Sequence, residues 1–300
     1  MTTGLILASG MEEVLAEEAR LAKLDISEAE KFWMEGAARM HAIDDFYHPG
    51  AAGQQQRIRL YRATTDKQPT LIYIHGGGWI GGSIELNESA ARAMAAKSGR
   101  HVVSISYRFA PTNPYPAALS DCIAAVQWLQ SGDGPVELTR HLNLQQLSIG
   151  GASAGANLAL ATALSLPHST FEALVLFYGV FNDDMSVPSY TEYPDGPGMT
   201  RARMEMLFEA YDPDYVRRAD RLVTPLKADL DGLPHTIVAA AEIDVLRSEN
   251  ELLAERLQST GVDVSTWVET GVTPGIINRG RLLPAARDTL ARAAEVLASI

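Results

Sequence analysis

The sequence has a single cysteine, Cys122, so it can form neither an internal disulfide framework nor a cysteine-rich metal centre. That cysteine falls in an apolar helical pattern and is expected to be a small buried hydrophobe. Basic charge is also scarce. Lys and Arg number 25 against 37 Asp and Glu, a formal net charge of -12, and the basic residues form no run. Phosphate surfaces demand positive charge, so neither nucleic acid nor a membrane is an expected partner. No apolar stretch approaches the roughly 20 residues that a membrane span needs. The opening MTTGLILASGMEEV has a brief apolar run without a basic flank and does not read as a secretory signal; a cytoplasmic chain is expected. There is no internal repeat or low-complexity linker, and neither a cofactor nor a metal ion is called for.

What is there suffices for a large core. With 46% hydrophobic and 21% charged residues over 300 positions, one α/β domain spanning 1–300 is the expectation. Two helical patterns come first, EEVLAEEARLAKL and SEAEKFWMEGAARMHA, the second opening with Ser27 and Glu30 at capping-box spacing. They are read as an N-terminal helical lid over 1–45. From residue 56 short β-rich runs (RIRLYRA, TLIYIH, HVVSISY, QLSIGG, ALVLFYG, TIVAAAE, VSTWVE) alternate with helical stretches. Several runs are apolar throughout, as strands covered on both faces must be, and the alternation predicts a mostly parallel sheet with helices on both sides. Ser248 with Glu251 suggests another capping box, Gly261 a helix end, and Pro284 a first helical turn. Residues 182–230, rich in Asp, Pro and Met, interrupt the alternation and read as a cap insertion above the carboxyl ends of the strands, where sites lie in such sheets.

Three stretches carry chemistry. QLSIG runs into GASAGANLALATAL, giving G-x-S-x-G at Gly151, Ser153 and Gly155 between a strand and a helix. That is the context of a nucleophile elbow, although the five residues alone would suit a plain turn. HGGGW at 75–79 follows the strand TLIYI; its glycines let backbone N–H groups approach an oxyanion, and no Lys-Ser/Thr follows as a phosphate loop would require. His75 is expected to brace that loop rather than act as a base. In AEIDVLRSE, Asp244 follows a strand and comes after the serine, as the acid does in α/β-hydrolases.

HGGGW, YRFAPTNPYPAALSDC, GASAGANLA, PSYTEYPDGPGMTRARM and AEIDVLRSENELLAERLQSTGV follow one another as in the hormone-sensitive-lipase-like esterases, which the chain resembles over roughly residues 45–300. The resemblance implies an α/β-hydrolase fold with an N-terminal lid, acting on small acyl esters. It implies Ser153 as nucleophile, Asp244 as triad acid, and the N–H groups of Gly76, Gly77 and Ala154 as oxyanion hole. It also implies pairing of edge strands in a homodimer, for which VDVSTWVE is a candidate. Two departures stand out. Ala152 replaces the Asp that usually precedes the nucleophile. The family ends its site with a stretch like E-G-M-x-H-G-F, against which ETGVTPGII puts Pro274 at the triad histidine and Ile276 at the Phe.

The other histidines offer little. His101, His141, His168 and His235 precede strands and belong at the opposite sheet edge, leaving His41 and His48 near the lid. A base must come within about 3 Å of the serine oxygen, or one water away. Without one, serine stays a neutral alcohol and a poor nucleophile, while oxyanion hole and binding survive. The expected partner is a small ester or a hydrophobic small molecule. Two functions remain open: a weakened carboxylesterase, or a non-catalytic binder on a hydrolase fold, as in the plant gibberellin receptor, which resembles this family and lacks the histidine.

Overall fold

Apolar runs that alternate with helical stretches assemble into one mixed sheet in the computed structural model, which describes residues 5–213 and 220–300. The remaining positions of the 1–45 and 182–230 segments, 1–4 and 214–219, lie outside the described residues. Among the described residues the strands are β1 (Ala42–Pro49), β2 (Gln55–Arg62), β3 (Gln68–Ile74), β4 (His101–Ile105), β5 (Leu142–Ala152), β6 (Ala173–Phe177), β7 (His235–Ala241) and β8 (Val264–Glu269). The helices are α1 (Met11–Leu21), α2 (Ile26–Met34), α3 (Glu88–Ser98), α4 (Ala117–Ser131), α5 (Val136–Thr139), α6 (Ala154–Ser165), α7 (Pro188–Glu192), α8 (Arg201–Tyr211), α9 (Arg247–Ser259) and α10 (Pro284–Ala298).

The strand order is β1-β2-β4-β3-β5-β6-β7-β8. β2 runs antiparallel to both β1 and β4, and every later neighbour is parallel. Strand side chains alternate between two cores, as the period of two demands. Ile72 and Ile74 of β3 join α4, α6 and α9 on one face, while Leu71 and Tyr73 join α3, α10 and the N-terminal helices on the other. Cys122 is fully buried in the first core. Because β3 has β4 on one side and β5 on the other, the chain reverses its direction of travel there. The crevice at this switch point, outside the carboxyl ends of β3 and β5, is where α/β sheets bind ligands.

Several boundaries differ from the sequence expectation. β1 was hidden inside the second helical pattern and the stretch after it: α2 stops at Met34, and AIDDFYHP pairs with β2. The α2 cap is Asp25, whose carboxylate accepts from the Ser27 amide, while Glu30 accepts from the Ser83 hydroxyl instead of closing a box. Ser248 sits inside the first turn of α9 and accepts from the Ser189 amide, so it caps nothing. Gly261 does follow α9 in the left-handed region (φ 84°), and Pro284 opens α10.

Candidate active site

β5 ends at Ala152 and α6 begins at Ala154, which leaves Ser153 alone on the turn between them at φ 54°, ψ -123°. A non-glycine residue held at positive φ costs on the order of 1–3 kcal/mol and persists only where its surroundings over-determine it. The surroundings here do so. The Ser153 amide donates to the Phe177 carbonyl at 2.9 Å. Neither neighbouring glycine could carry a side chain: a Cβ on Gly151 would lie 2.5 Å from the Ile74 oxygen, and one on Gly155 2.1 Å from the same atom. The end of β3 therefore presses directly on the elbow.

That close approach also sets the glycine loop beside the serine. A Cβ on Gly76 would lie 3.5 Å from the Ser153 Cβ. Among the described residues the N–H groups of Gly76, Gly77 and Ala154 make no turn or loop hydrogen bond. Gly77 needs its glycine, since φ is 141° and a Cβ would fall 2.0 Å from the Gly81 oxygen. His75 turns away from the serine: its Nδ1 lies 2.9 Å from the Gly76 oxygen and its ring stacks on Tyr107 at 4.5 Å. Burial holds its pKa down at about 4, so it is neutral at ordinary pH. Trp79 closes the motif by stacking on Tyr211 of α8 at 4.4 Å, which ties the loop to the 182–230 segment.

Ser153, Gly76, Gly77 and Pro274 line one cavity of about 380 Å³. The 182–230 segment contributes Gly198, Met199, Arg203 and Leu207, and among the described residues no lining residue precedes Gly76. α1 and α2 instead pack behind the wall, where Glu18 pairs with Arg279 at 2.6 Å and Trp33 lies under the same guanidinium at 4.3 Å.

Asp244 and Pro274 occupy adjacent loops. Glu242 and Ile243 donate backbone hydrogen bonds to Glu269 and Val272, so the segments after β7 and β8 run side by side. Asp244 is 1% exposed; its Oδ1 accepts from the Leu246 amide at 3.0 Å, and its Oδ2 has no hydrogen-bond partner. Burial drives its carboxyl up to about 7, with only the Leu246 bond and the charge of Arg247 opposing. Pro274 faces the cavity, and a Cβ on Gly198 would touch its Cδ at 3.5 Å.

No histidine lines the cavity. His101 and His235 begin strands, and His141 immediately precedes β5, all at the far sheet edge. His168 lies against Gly232 in the connection before β7. His48 lies on β1, four strand spacings from β5, roughly 19 Å at about 4.8 Å each. His41 immediately precedes the same strand, at the opposite end from the elbow.

Some residues at the site were not legible in advance. Tyr178 lines the cavity at φ 35°, held by neighbours that grip the loop after β6: Asn250 bonds both the amide and the carbonyl of Gly179, Glu249 accepts from Phe181, and Asn157 donates to Val180. The only hint was the position of ALVLFYG, a strand ending at the same edge as the serine.

Residues 71–277 match the family model described as alpha/beta hydrolase fold. The chain is 34% identical over 247 residues to the carboxylesterase NlhH of Mycobacterium tuberculosis, covering 78% of this chain and 75% of that protein. It is 29% identical over 242 residues to an acetyl esterase of Salmonella paratyphi B, covering 77% and 72%. Its structure resembles that of the esterase of Pyrobaculum calidifontis with a TM-score of 0.85 at 28% identity, over 98% of both chains. Strained serine, glycine loop and shared cavity stand on the scaffold these relatives share, and the chain belongs to the α/β-hydrolase family, in its hormone-sensitive-lipase-like, carboxylesterase-related class.

Proposed function

We propose that the protein is a serine carboxylesterase-type hydrolase of small acyl esters whose turnover is weakened because Pro274 stands where the triad histidine would. The observation that carries the reading is Ser153 on its strained turn, facing a cavity shared with Gly76, Gly77 and Pro274 and lacking any imidazole. In this reading the Ser153 hydroxyl attacks the ester carbonyl. The N–H groups of Gly76, Gly77 and Ala154 take the developing oxyanion, the alcohol leaves, and water releases the acid from the acyl-serine. The serine proton must pass to water, because no side chain is there to receive it. Losing a triad member costs serine proteases about 10⁴–10⁶ in turnover while roughly 10³–10⁴ over water survives.

In the same reading residues 1–300 form one domain, 182–230 serve as a cap that lines the cavity, and 1–45 act as a lid through the wall that carries Pro274 and Arg279. A second reading, a non-catalytic small-molecule binder, is favoured by the orphaned Oδ2 of Asp244, which a catalytic triad would have used. Turnover of a chromogenic short-chain ester, compared with Ser153→Ala, separates the two. Slow hydrolysis that disappears with Ser153 supports the esterase; no serine-dependent hydrolysis, together with an uncleaved copurifying ligand, supports the binder.

A further inference from the structure

The chain is strongly acidic, yet among the described residues the charged side chains that line its cavity are both cationic, Arg203 and Arg279, and no carboxylate lines it. The two arginines differ in what they have left to give. Arg279 is already paired with Glu18 and stacked on Trp33. Arg203 is not paired: its backbone amide is capped by Thr200, but its guanidinium makes no hydrogen bond or ion pair among the described residues. The helix explains why. Partners on α8 must lie three or four residues away, and those positions are Met199, Thr200, Met206 and Leu207, none of them acidic. Arg201, two residues earlier on the same helix, has Glu205 at 3.1 Å. Arg203 and Leu207, one turn apart, both face the cavity.

An unpaired guanidinium presents a rigid fork of donors matched to a carboxylate. Placed at a cavity whose described lining holds no acid, it raises the local concentration of anions against the repulsion of the whole molecule. We infer that the cavity selects a ligand bearing a carboxylate at the end remote from Ser153, as in the half-esters of dicarboxylic acids, with Arg203 as the specificity-determining contact. This rests on the reading of the cavity as the ligand site, but not on whether the serine turns over.

The test therefore measures binding. Dissociation constants of monomethyl glutarate and dimethyl glutarate, at constant ionic strength, compare an anion with a neutral ester of nearly the same size. The anion is expected to bind about 10-fold tighter, the effect of one charge-assisted hydrogen bond at a partly solvated site. Arg203→Ala should bring the ratio to about one, and Arg203→Glu should reverse it. Arg201→Ala, which removes the same charge without touching the cavity, should keep it. Equal constants in the parent, no saturable binding of either ester at millimolar concentration, or a preference that survives Arg203→Ala would overturn the inference. A clear preference without hydrolysis would instead sink only the esterase reading.

Discussion

In the proposed reading, Pro274 and Asp244 make one side chain decide the chemistry of a site whose backbone is already in place. Oδ2 of Asp244 has no hydrogen-bond partner, and burial puts the carboxyl at about 7. Pro274→His should raise short-chain ester hydrolysis by about 10²-fold or more, the usual contribution of a positioned general base. Adding Ser153→Ala should abolish the gain; equal rates for parent and Pro274→His would show that more than the base is missing. The raised carboxyl also has a sign in stability. The folded state binds the proton more tightly than the unfolded chain, so stability falls as pH rises from about 4 through about 7, by up to about 4 kcal/mol. Asp244→Asn removes that penalty. Urea unfolding should find the variant more stable than the parent at pH 8 and little different at pH 4; a constant difference across both would contradict the assignment. The proposal of a missing base comes from the sequence, where the family's closing motif has a named position for histidine and Pro274 falls on it. Arg203 was not legible there, because an unpaired arginine looks like any other until the cavity it faces is known.

At the scale of elements, strands buried on both faces were legible because nothing but apolar residues survives there, as in ALVLF of β6. β1 was not, because an edge strand exposes one face and carries Asp44, Asp45 and Tyr47 in a pattern that a helix could equally use. Both misplaced caps share one cause. Ser27 and Ser248 have the right neighbours along the chain, but tertiary partners claimed the side chains, Glu30 going to Ser83 and Ser248 to Ser189. The elbow is where element and site depend on each other most. Gly155→Ala would drive a Cβ to 2.1 Å from a backbone oxygen of β3. It should destabilise the fold by about 3 kcal/mol, at the upper end for overpacking, because backbone cannot rotate away. Chemical denaturation reads this directly, and a variant as stable as the parent would mean that β3 does not press on the turn.

Across the whole molecule, the first forty residues and the last thirty hold one wall between them. Glu18 and Trp33 grip Arg279, and Arg281 bonds the Phe32 carbonyl at 3.0 Å. Deleting residues 1–41 should speed amide hydrogen exchange in 271–283 and weaken ligand binding, since the wall loses its outer support. Unchanged exchange there would show that the wall stands alone. The costly parts of a hydrolase, strained serine, glycine loop and shaped cavity, thus persist beside a proline. In genetic terms, a proline encoded by CCU or CCC is a short step from its alternative, because those codons become histidine codons by a change in the second base alone, whereas CCA and CCG need two changes. With either of the first two codons, a population of this gene under selection for growth on an ester would sample that change constantly, and the scaffold would be waiting for it.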